Sequence, residues 1–422
     1  MVPEYAPVIA FVATIALIVL LRPLAVRVGL VDIPNERKSH RAPTPLVGGL
    51  AIFAGLALGF FLCDGGLLPI SQREVYSFFG AGLLLVGVGV VDDFLDLSPA
   101  VRLVAQVLAA LLMIFGAGVV LKDLGSMTPG GEVLQLQVLA VPFTVFATLG
   151  IINALNMCDG LDGLSGSLAI TSLSGLILAA YTWGVPADTV LLPILGTGIV
   201  AFLLFNLRLL GRERASVFLG DAGSMFLGFA LTWYAIALSQ GEHRALPPAA
   251  ALWFLMIPIF DAVSMMLRRI LKGRSPFAAD REHLHHIFLL AGYSVNETVL
   301  VMTGVASCGV FIGLVSIYFR VPELVVAGAF LLTGVGYFWL ISHAWRVMRF
   351  IRTSICRRQS ARDRRKGPDD SYPGPERRSG EDRRAQPVTS AVEGSHADCR
   401  SVDAMTPVAT SGPAAHPPQT HS

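Results

Sequence analysis

Charged residues are scarce in this sequence. Asp, Glu, Lys and Arg make up 15% of the 422 residues, while 54% are hydrophobic; a soluble domain carries about a quarter charged residues. That shortage, with a mean hydropathy of +0.64, excludes an ordinary soluble fold. Cysteine is sparse too. Cys63, Cys158, Cys308, Cys356 and Cys399 are odd in number and widely scattered, so neither a disulfide framework nor a CxxC metal pair is readable. The start of the chain has no Lys or Arg: Glu4 precedes the first apolar run, Arg22 and Arg27 follow it, and no small-residue cleavage site comes after. That run is expected to stay as a membrane helix rather than be cleaved as a signal.

Apolar length is what the chain has in quantity. About eleven runs, each long enough to cross a hydrocarbon core about 30 Å thick, centre near Ile15, Phe53, Leu83, Leu112, Phe146, Leu176, Ile194, Phe229, Leu255, Gly309 and Leu332. In lipid every backbone polar group needs an internal partner. The expected fold is therefore all-α, a polytopic membrane helical bundle of about eleven transmembrane helices. The run around Leu255 is the least ordinary, since it carries Pro258 and Asp261 and ends in Arg268 and Arg269. Alternate loops hold most of the basic residues, among them Arg22, Arg27, Arg37, Lys38, Arg41, Arg208, Arg212 and Arg214, whereas the others hold only Arg73, Lys122, Arg244 and Arg320. Cytoplasmic loops carry the basic excess, which predicts an outward N-terminus and an inward C-terminus in a bacterial inner (plasma) membrane. Residues 1–345 would form the membrane domain. Residues 346–422 change to Arg-rich blocks and a Ser/Thr/Ala/Pro-rich end, a composition that cannot bury a core and is expected to form a disordered cytoplasmic tail.

The inward loops carry the chemistry. Asp92, Asp93 and Asp96 stand between two apolar runs. Like charges this close repel unless a cation holds them, so the cluster reads either as a divalent-metal and phosphate site or as helix-end carboxylates reaching for water. Arg102, just beyond, is placed to neutralise one of them. The first loop is basic at Arg37 and Lys38 and enters a helix through Gly48-Gly49. Glycines at a helix start let backbone N–H groups approach an anion; a positive-inside anchor is the plainer reading. The third loop packs Asn153, Asn156, Cys158, Asp159-Gly160 and Asp162-Gly163 between apolar runs. A polar turn needs fewer oxygens than that, and metal or nucleotide binding suits them. Asp221 precedes another apolar helix, as an N-cap or as a further oxygen donor for a cation. The last inward loop contains Arg269, Ser275-Pro276-Phe277 and Asp280-Arg281-Glu282-His283-Leu284-His285-His286. Its histidines are too tightly spaced for a usual structural zinc site and suit phosphate contact beside basic residues.

Together these motifs resemble the polyprenyl-phosphate N-acetylhexosamine-1-phosphate transferases, a membrane family that includes phospho-MurNAc-pentapeptide translocase and enzymes that start O-antigen, enterobacterial common antigen and teichoic acid linkage synthesis. The likeness runs through residues 20 to 295 and takes in the inward loops in order. The Arg269 to His286 loop looks most like the branch that uses UDP-GlcNAc. The resemblance implies transfer of GlcNAc-1-phosphate from UDP-GlcNAc to polyprenyl (undecaprenyl) phosphate, with UMP released. It implies that Asp92 and Asp93 are catalytic, handling metal or lipid phosphate, and that Asn156 and Asp221 ligate Mg²⁺, with Mn²⁺ as a substitute. Lys38, Asp96, Asp159, Asp162, Arg269, His283, His285 and His286 would bind substrate. Expected partners are a UDP-N-acetylhexosamine, polyprenyl phosphate and membrane lipid, with a homodimer allowed and no nucleic acid.

Two mechanisms stand open, a covalent aspartyl intermediate and direct attack by the lipid phosphate. A phosphate monoester has its second pKa near 6, so the acceptor needs little deprotonation and direct attack is favoured. Rival readings are another UDP-N-acetylhexosamine or UDP-MurNAc-pentapeptide as donor, a secondary transporter, and a binding scaffold without chemistry. Transporters place charges near the bilayer midplane, whereas here the polar residues gather in loops.

Overall fold

The computed structural model describes residues 5–32, 43–63, 71–184, 190–208, 212–242, 244–273, 275 and 283–365. Lys38 and the tail from residue 366 lie outside them. The chain divides into two units, Met1–His343 and Ala344–Ser422, and the candidate site lies wholly in the first.

Each apolar run forms helix. In chain order these are α1 Tyr5–Val28, α2 Gly48–Phe61, α3 Gln72–Leu95, α4 Pro99–Leu111 (carried on by a π-helical turn at Leu112–Gly116), α5 Ala140–Met157, α6 Leu164–Trp183, α7 Leu191–Asn206, α8 Gly220–Ala237, α9 Pro248–Phe254, α10 Met256–Leu271, α11 Leu284–Leu290, α12 Val295–Tyr318 and α13 Glu323–Arg365. The protein is a multi-pass helical membrane protein, but the expected eleven spans are not established. Among the described residues seven helices are long and apolar enough to cross a membrane, or eight if α9 and α10, bent by 82°, count as one. The reason lies in burial. α2 and α7 have 14 and 16 residues. In α8 every residue except Asp221 and Ala237 is buried, packed by α2, α3, α5, α6 and α9. A helix ringed by protein need not be lipid-like. The last helix also continues to Arg365, past the expected start of the tail, since Arg, Gln and Ala are good helix formers.

Two antiparallel ladders add strands that apolar periodicity did not announce: β1 Val31–Asp32 with β2 Thr44–Pro45, and β3 Asp123–Ser126 with β4 Val133–Gln135. The sharp bend between α9 and α10 has a local cause. Pro258 has no N–H to give the carbonyl of Phe254 four residues earlier, and the Ser172 hydroxyl donates to that carbonyl instead, at 2.7 Å. A capping box starts α12, with Ser294 Oγ accepting from the Glu297 N–H at 3.3 Å and Glu297 Oε2 accepting from the Ser294 N–H at 2.7 Å.

Close approach around α8 sets the site. Gly89 of α3 lies against the backbone of Ala222, where a Cβ would collide, so α3 and α8 touch main chain to main chain. Below that contact Phe53, Phe78, Phe226 and Trp233 lock the helices, with ring centroids 5.0 Å apart for Phe53–Phe226 and 5.2 Å for Phe78–Trp233. The Gly48-Gly49 pair departs from the anion-binding expectation. Their N–H groups donate to the carbonyls of Phe218 and Leu219 at 3.0 and 2.9 Å, so these glycines stitch α2 to the entry of α8.

Candidate active site

α3 ends at Leu95 because Asp96 turns left-handed, at φ 50°, and Pro99 opens α4. The turn gathers polar groups on Asp92. Its Oδ1 accepts the Leu97 N–H at 2.7 Å, and Arg102 Nη1 lies 3.1 Å from its Oδ2. The same Nη1 lies 3.8 Å from Asp221 Oδ2. Arg102 therefore joins Asp92 on α3 to Asp221 on α8, partly discharging both.

Asp93 faces the start of α8. Its Oδ1 accepts the Asp221 N–H at 3.0 Å, in the position where a helix N-terminus favours an anion. Its Oδ2 is buried without a hydrogen-bond partner among the described residues. Gly220 makes this approach possible. It sits at φ +73°, and a Cβ there would stand 2.6 Å from Asp93 Oδ2, so both conformation and space call for glycine. Asp221 is not the N-cap, which is Leu219; its carboxylate is left for other work.

Asn156, in the last turn of α5, takes part of that carboxylate. Its Nδ2 donates to Asp221 Oδ1 at 2.5 Å and to Ser224 Oγ at 2.8 Å. Asn153, one turn earlier, goes elsewhere and donates to Gln106 Oε1 at 2.7 Å, which ties α5 to α4. Residues from α3, α4, α5 and α8 thus meet around one cluster of oxygens.

The loop after α5 adds a second layer. Asp159 accepts a short hydrogen bond from the Ser165 hydroxyl. Burial pushes its carboxyl well above the usual range, and the charges of Asp221, Asp93 and Asp162 push the same way. Asp162 is committed to the protein: its Oδ2 accepts from Arg208 Nε at 2.8 Å and from the Ala215 N–H at 2.9 Å. Asn206 completes the fastening, with Oδ1 accepting from the Gly163 N–H at 2.8 Å and Nδ2 donating to the Val217 carbonyl at 2.9 Å. Burial pushes the Cys158 thiol up, and it packs among Leu161, Leu164 and Trp253 as an unreactive apolar residue.

The histidines come to this layer from α11. His285 is buried against Gly160, where an added Cβ would sit 3.0 Å from its Nε2. Burial, then the neighbouring His286, lower its pKa to about 3. Burial thus favours the neutral ring at His285, and both its nitrogens are buried without a hydrogen-bond partner among the described residues. The His283 ring stacks on that of His285, with centroids 5.6 Å apart, and His286 lies 4.3 Å from His285. Arg269 is buried near the end of α10. Asp96 is exposed, and its N–H donates to the carbonyl of Asp92.

Asp93, Asn156 and Asp221 thus converge, with Asp92 and Asp159 beside them. Asp162 is turned to Arg208, and Lys38 is outside the described residues. Ser224, Ser165 and Asn206 escaped the sequence reading, because hydroxyls and amides carry no spacing signal, and Arg208 was read only as part of the basic excess of the inward loops. Asp261 had one, an acid inside an apolar run.

The oxygens fit a hard divalent cation. The donors are carboxylates with an amide and a hydroxyl, and Asp93 Oδ2 is an orphaned buried oxygen. Among the described residues no three His, Cys, Asp or Glu side chains stand grouped for a metal. Carboxylate, amide and hydroxyl oxygens are the donor types Mg²⁺ takes, with one or two carboxylates and a shell filled by water and substrate phosphate.

The family model described as glycosyl transferase family 4 matches residues 75–239, from early α3 to just past α8. Three similar proteins are named undecaprenyl-phosphate alpha-N-acetylglucosaminyl 1-phosphate transferase. The one from Yersinia pestis is 36% identical over 343 residues, 81% of this chain and 92% of its own length. That from Salmonella typhi is 36% identical over 360 residues, covering 85% and 96%. That from Haemophilus influenzae is 35% identical over 344 residues, covering 82% and 95%.

Proposed function

The chain belongs to glycosyl transferase family 4, and from that premise we propose that it transfers GlcNAc-1-phosphate from UDP-GlcNAc to undecaprenyl phosphate in a bacterial inner membrane. The products are undecaprenyl-diphosphate-GlcNAc and UMP. The observation that carries this reading is the linkage of Asp93, Asn156 and Asp221 from three helices: Asn156 donates to the Asp221 carboxylate, the Asp221 N–H donates to Asp93 Oδ1, and Asp93 Oδ2 is left without a partner among the described residues. The names of the relatives supply the sugar and the lipid. The basic loops supply the orientation, with the site and the C-terminus cytoplasmic and the N-terminus outside.

An oxygen of the lipid phosphate attacks the phosphorus next to the sugar. The bond from that phosphorus to the bridging oxygen breaks, and the electron pair leaves with UMP. Asp92 and Asp93 flank the site. Asp92 is held by the Leu97 N–H and Arg102, and Asp93 by the Asp221 N–H and the wall beside Gly220. Asp92 has both carboxylate oxygens engaged, and Asp93 Oδ2, though without a hydrogen-bond partner among the described residues, is buried against Gly220, which supports direct displacement. Two anions must approach each other, so relief of repulsion is the main requirement. Arg102 lies at the carboxylate cluster, and Arg269 and His283 would contact the sugar diphosphate. Asp221 and Asn156, with Asp93, would hold Mg²⁺, which when bound neutralises the diphosphate charge.

The test is incubation of membranes with UDP-GlcNAc, Mg²⁺ and undecaprenyl phosphate, followed by mass analysis of the lipid. The expected result is a lipid heavier by GlcNAc-1-phosphate, with UMP in equal amount. Absence of that lipid, or solute uptake into proteoliposomes without it, overturns the reading. A product from another UDP-N-acetylhexosamine in place of UDP-GlcNAc corrects the sugar alone.

A further inference from the structure

Asp261 is a carboxylate in the middle of the bent α9–α10 region and is only 1% exposed. An ionisable group so placed marks function unless it is paired, and its pairing is informative. Oδ2 lies 2.9 Å from His283 Nδ1, Oδ1 accepts the Leu284 N–H at 3.0 Å, and the Tyr337 hydroxyl of α13 donates to Oδ1 at 3.4 Å. One side chain thus holds the first histidine of the trio and the first turn of α11.

A histidine hydrogen-bonded to a carboxylate through one ring nitrogen has its tautomer and ring direction fixed by that bond. With Nδ1 given to Asp261, Nε2 is the nitrogen left to meet substrate. The His283 ring then sets the plane of His285, which stacks on it within 6°. We propose that Asp261 is a positioning residue of the transfer reaction: through His283 Nδ1 and the Leu284 N–H it aims the histidines at the sugar diphosphate, with Tyr337 steadying its carboxylate. This rests on the function proposed above.

Purified full-length enzyme carrying Asp261→Asn, His283→Ala or both is assayed for kcat and KM with UDP-GlcNAc. The amide keeps the size of the carboxylate and one acceptor oxygen. Asp261→Asn is expected to lower kcat/KM by 10- to 100-fold, mostly in kcat, while UMP inhibits as it does the wild type. The double variant is expected to be no worse than His283→Ala alone, because both changes remove one function. Losses that multiply, or wild-type kcat in Asp261→Asn, overturn the proposal. If Asp261→Asn does not accumulate in the membrane, the cycle is run with Tyr337→Phe, expected to lose several-fold activity only while His283 is present; equal losses in both backgrounds overturn it. ¹⁵N-histidine spectra read the link without turnover: the Nδ1-protonated signal of His283 is expected in the wild type and lost in Asp261→Asn. A wild type with that signal but no lipid product sinks the substrate assignment and keeps the Asp261–His283 link. A wild type without it sinks the link.

Discussion

The two ends of α8 use the same side chains to opposite purposes. At its start Asp92, Asp93 and Asp221 crowd together with Arg102 between two of them, and Asp93 Oδ2 is buried without a hydrogen-bond partner among the described residues. Past its other end Arg244 pairs with Glu323 at 2.8 Å and lies 3.7 Å from Asp123. There Glu323 Oε2 also accepts the Ser126 N–H at 3.1 Å, and Asp123 Oδ1 the Gly125 N–H at 2.9 Å. Both clusters tie segments far apart in the chain. At the Arg244 end each acid meets a cation and a backbone donor, as a fastening requires. At the Asp93 end acids outweigh donors, a repulsion that the proposed cation would relieve. What distinguishes a site from a clasp is the unmet demand, not the residue types.

The strongest test removes the shared acid. Asp221→Ala deletes the carboxylate that Asn156 and Arg102 both address. Transfer should fall about a thousandfold, as for loss of a principal electrostatic group, with the protein still in the membrane. Its melting temperature should hold or rise, because like-charge repulsion is relieved. Turnover within tenfold of the wild type, measured as lipid product per mole of enzyme, would count against the cluster as the reacting centre. Chelation should do the same reversibly: activity lost with excess EDTA and restored by Mg²⁺ or Mn²⁺. Full activity in a chelator would remove the cation from the account. Gly220→Ala should lose less, about a hundredfold, since it keeps every acid but drives a methyl group at Asp93 Oδ2 from a left-handed backbone. That strain costs about 1–3 kcal/mol, so here activity and stability should fall together.

The chain announces some of this and hides the rest, for physical reasons. Apolar length is a strong signal, and every run became helix. Span count is weaker, because α8 is sheltered by protein and its composition need not satisfy lipid. The paired acids at Asp92-Asp93 and the Asp-Gly turns at Asp159 and Asp162 were legible, since ionisable groups at a membrane border are expensive. Their sorting was not. The i, i+3 spacing of Asn153 and Asn156 puts them on one helix face, and only packing sends one to Gln106 and the other to Asp221. Likewise Gly48-Gly49 reads as an anion cradle until the Phe218 and Leu219 carbonyls are seen to fill it. Asp162 resembled a substrate contact, and the fold spends one of its oxygens on Arg208. Tertiary partners decide between such readings, and a single sequence does not contain them.

The smallest effect on turnover belongs to the far cluster, and it tests the comparison from the other side. Arg244→Ala leaves Glu323 and Asp123 facing each other with only backbone donors. Their side chains are 11% and 17% exposed, so part of the lost attraction is replaced by water, and the cost should be about 1–2 kcal/mol. For a chain of this size that is a melting temperature lower by several degrees. The reaction occurs at the opposite end of α8, and no group at the Arg244 end bears on the diphosphate, so kcat should stay within about twofold of the wild type at temperatures where the variant is folded. Glu323→Gln should behave alike but more mildly, because the amide still accepts from Ser126. If either variant loses turnover while its melting temperature stands still, the two ends are coupled and the clasp belongs to the catalytic cycle. If Asp221→Ala instead lowers the melting temperature as Arg244→Ala does, the inner acids are a fastening too, and the unmet demand at Asp93 must be read as strain without purpose.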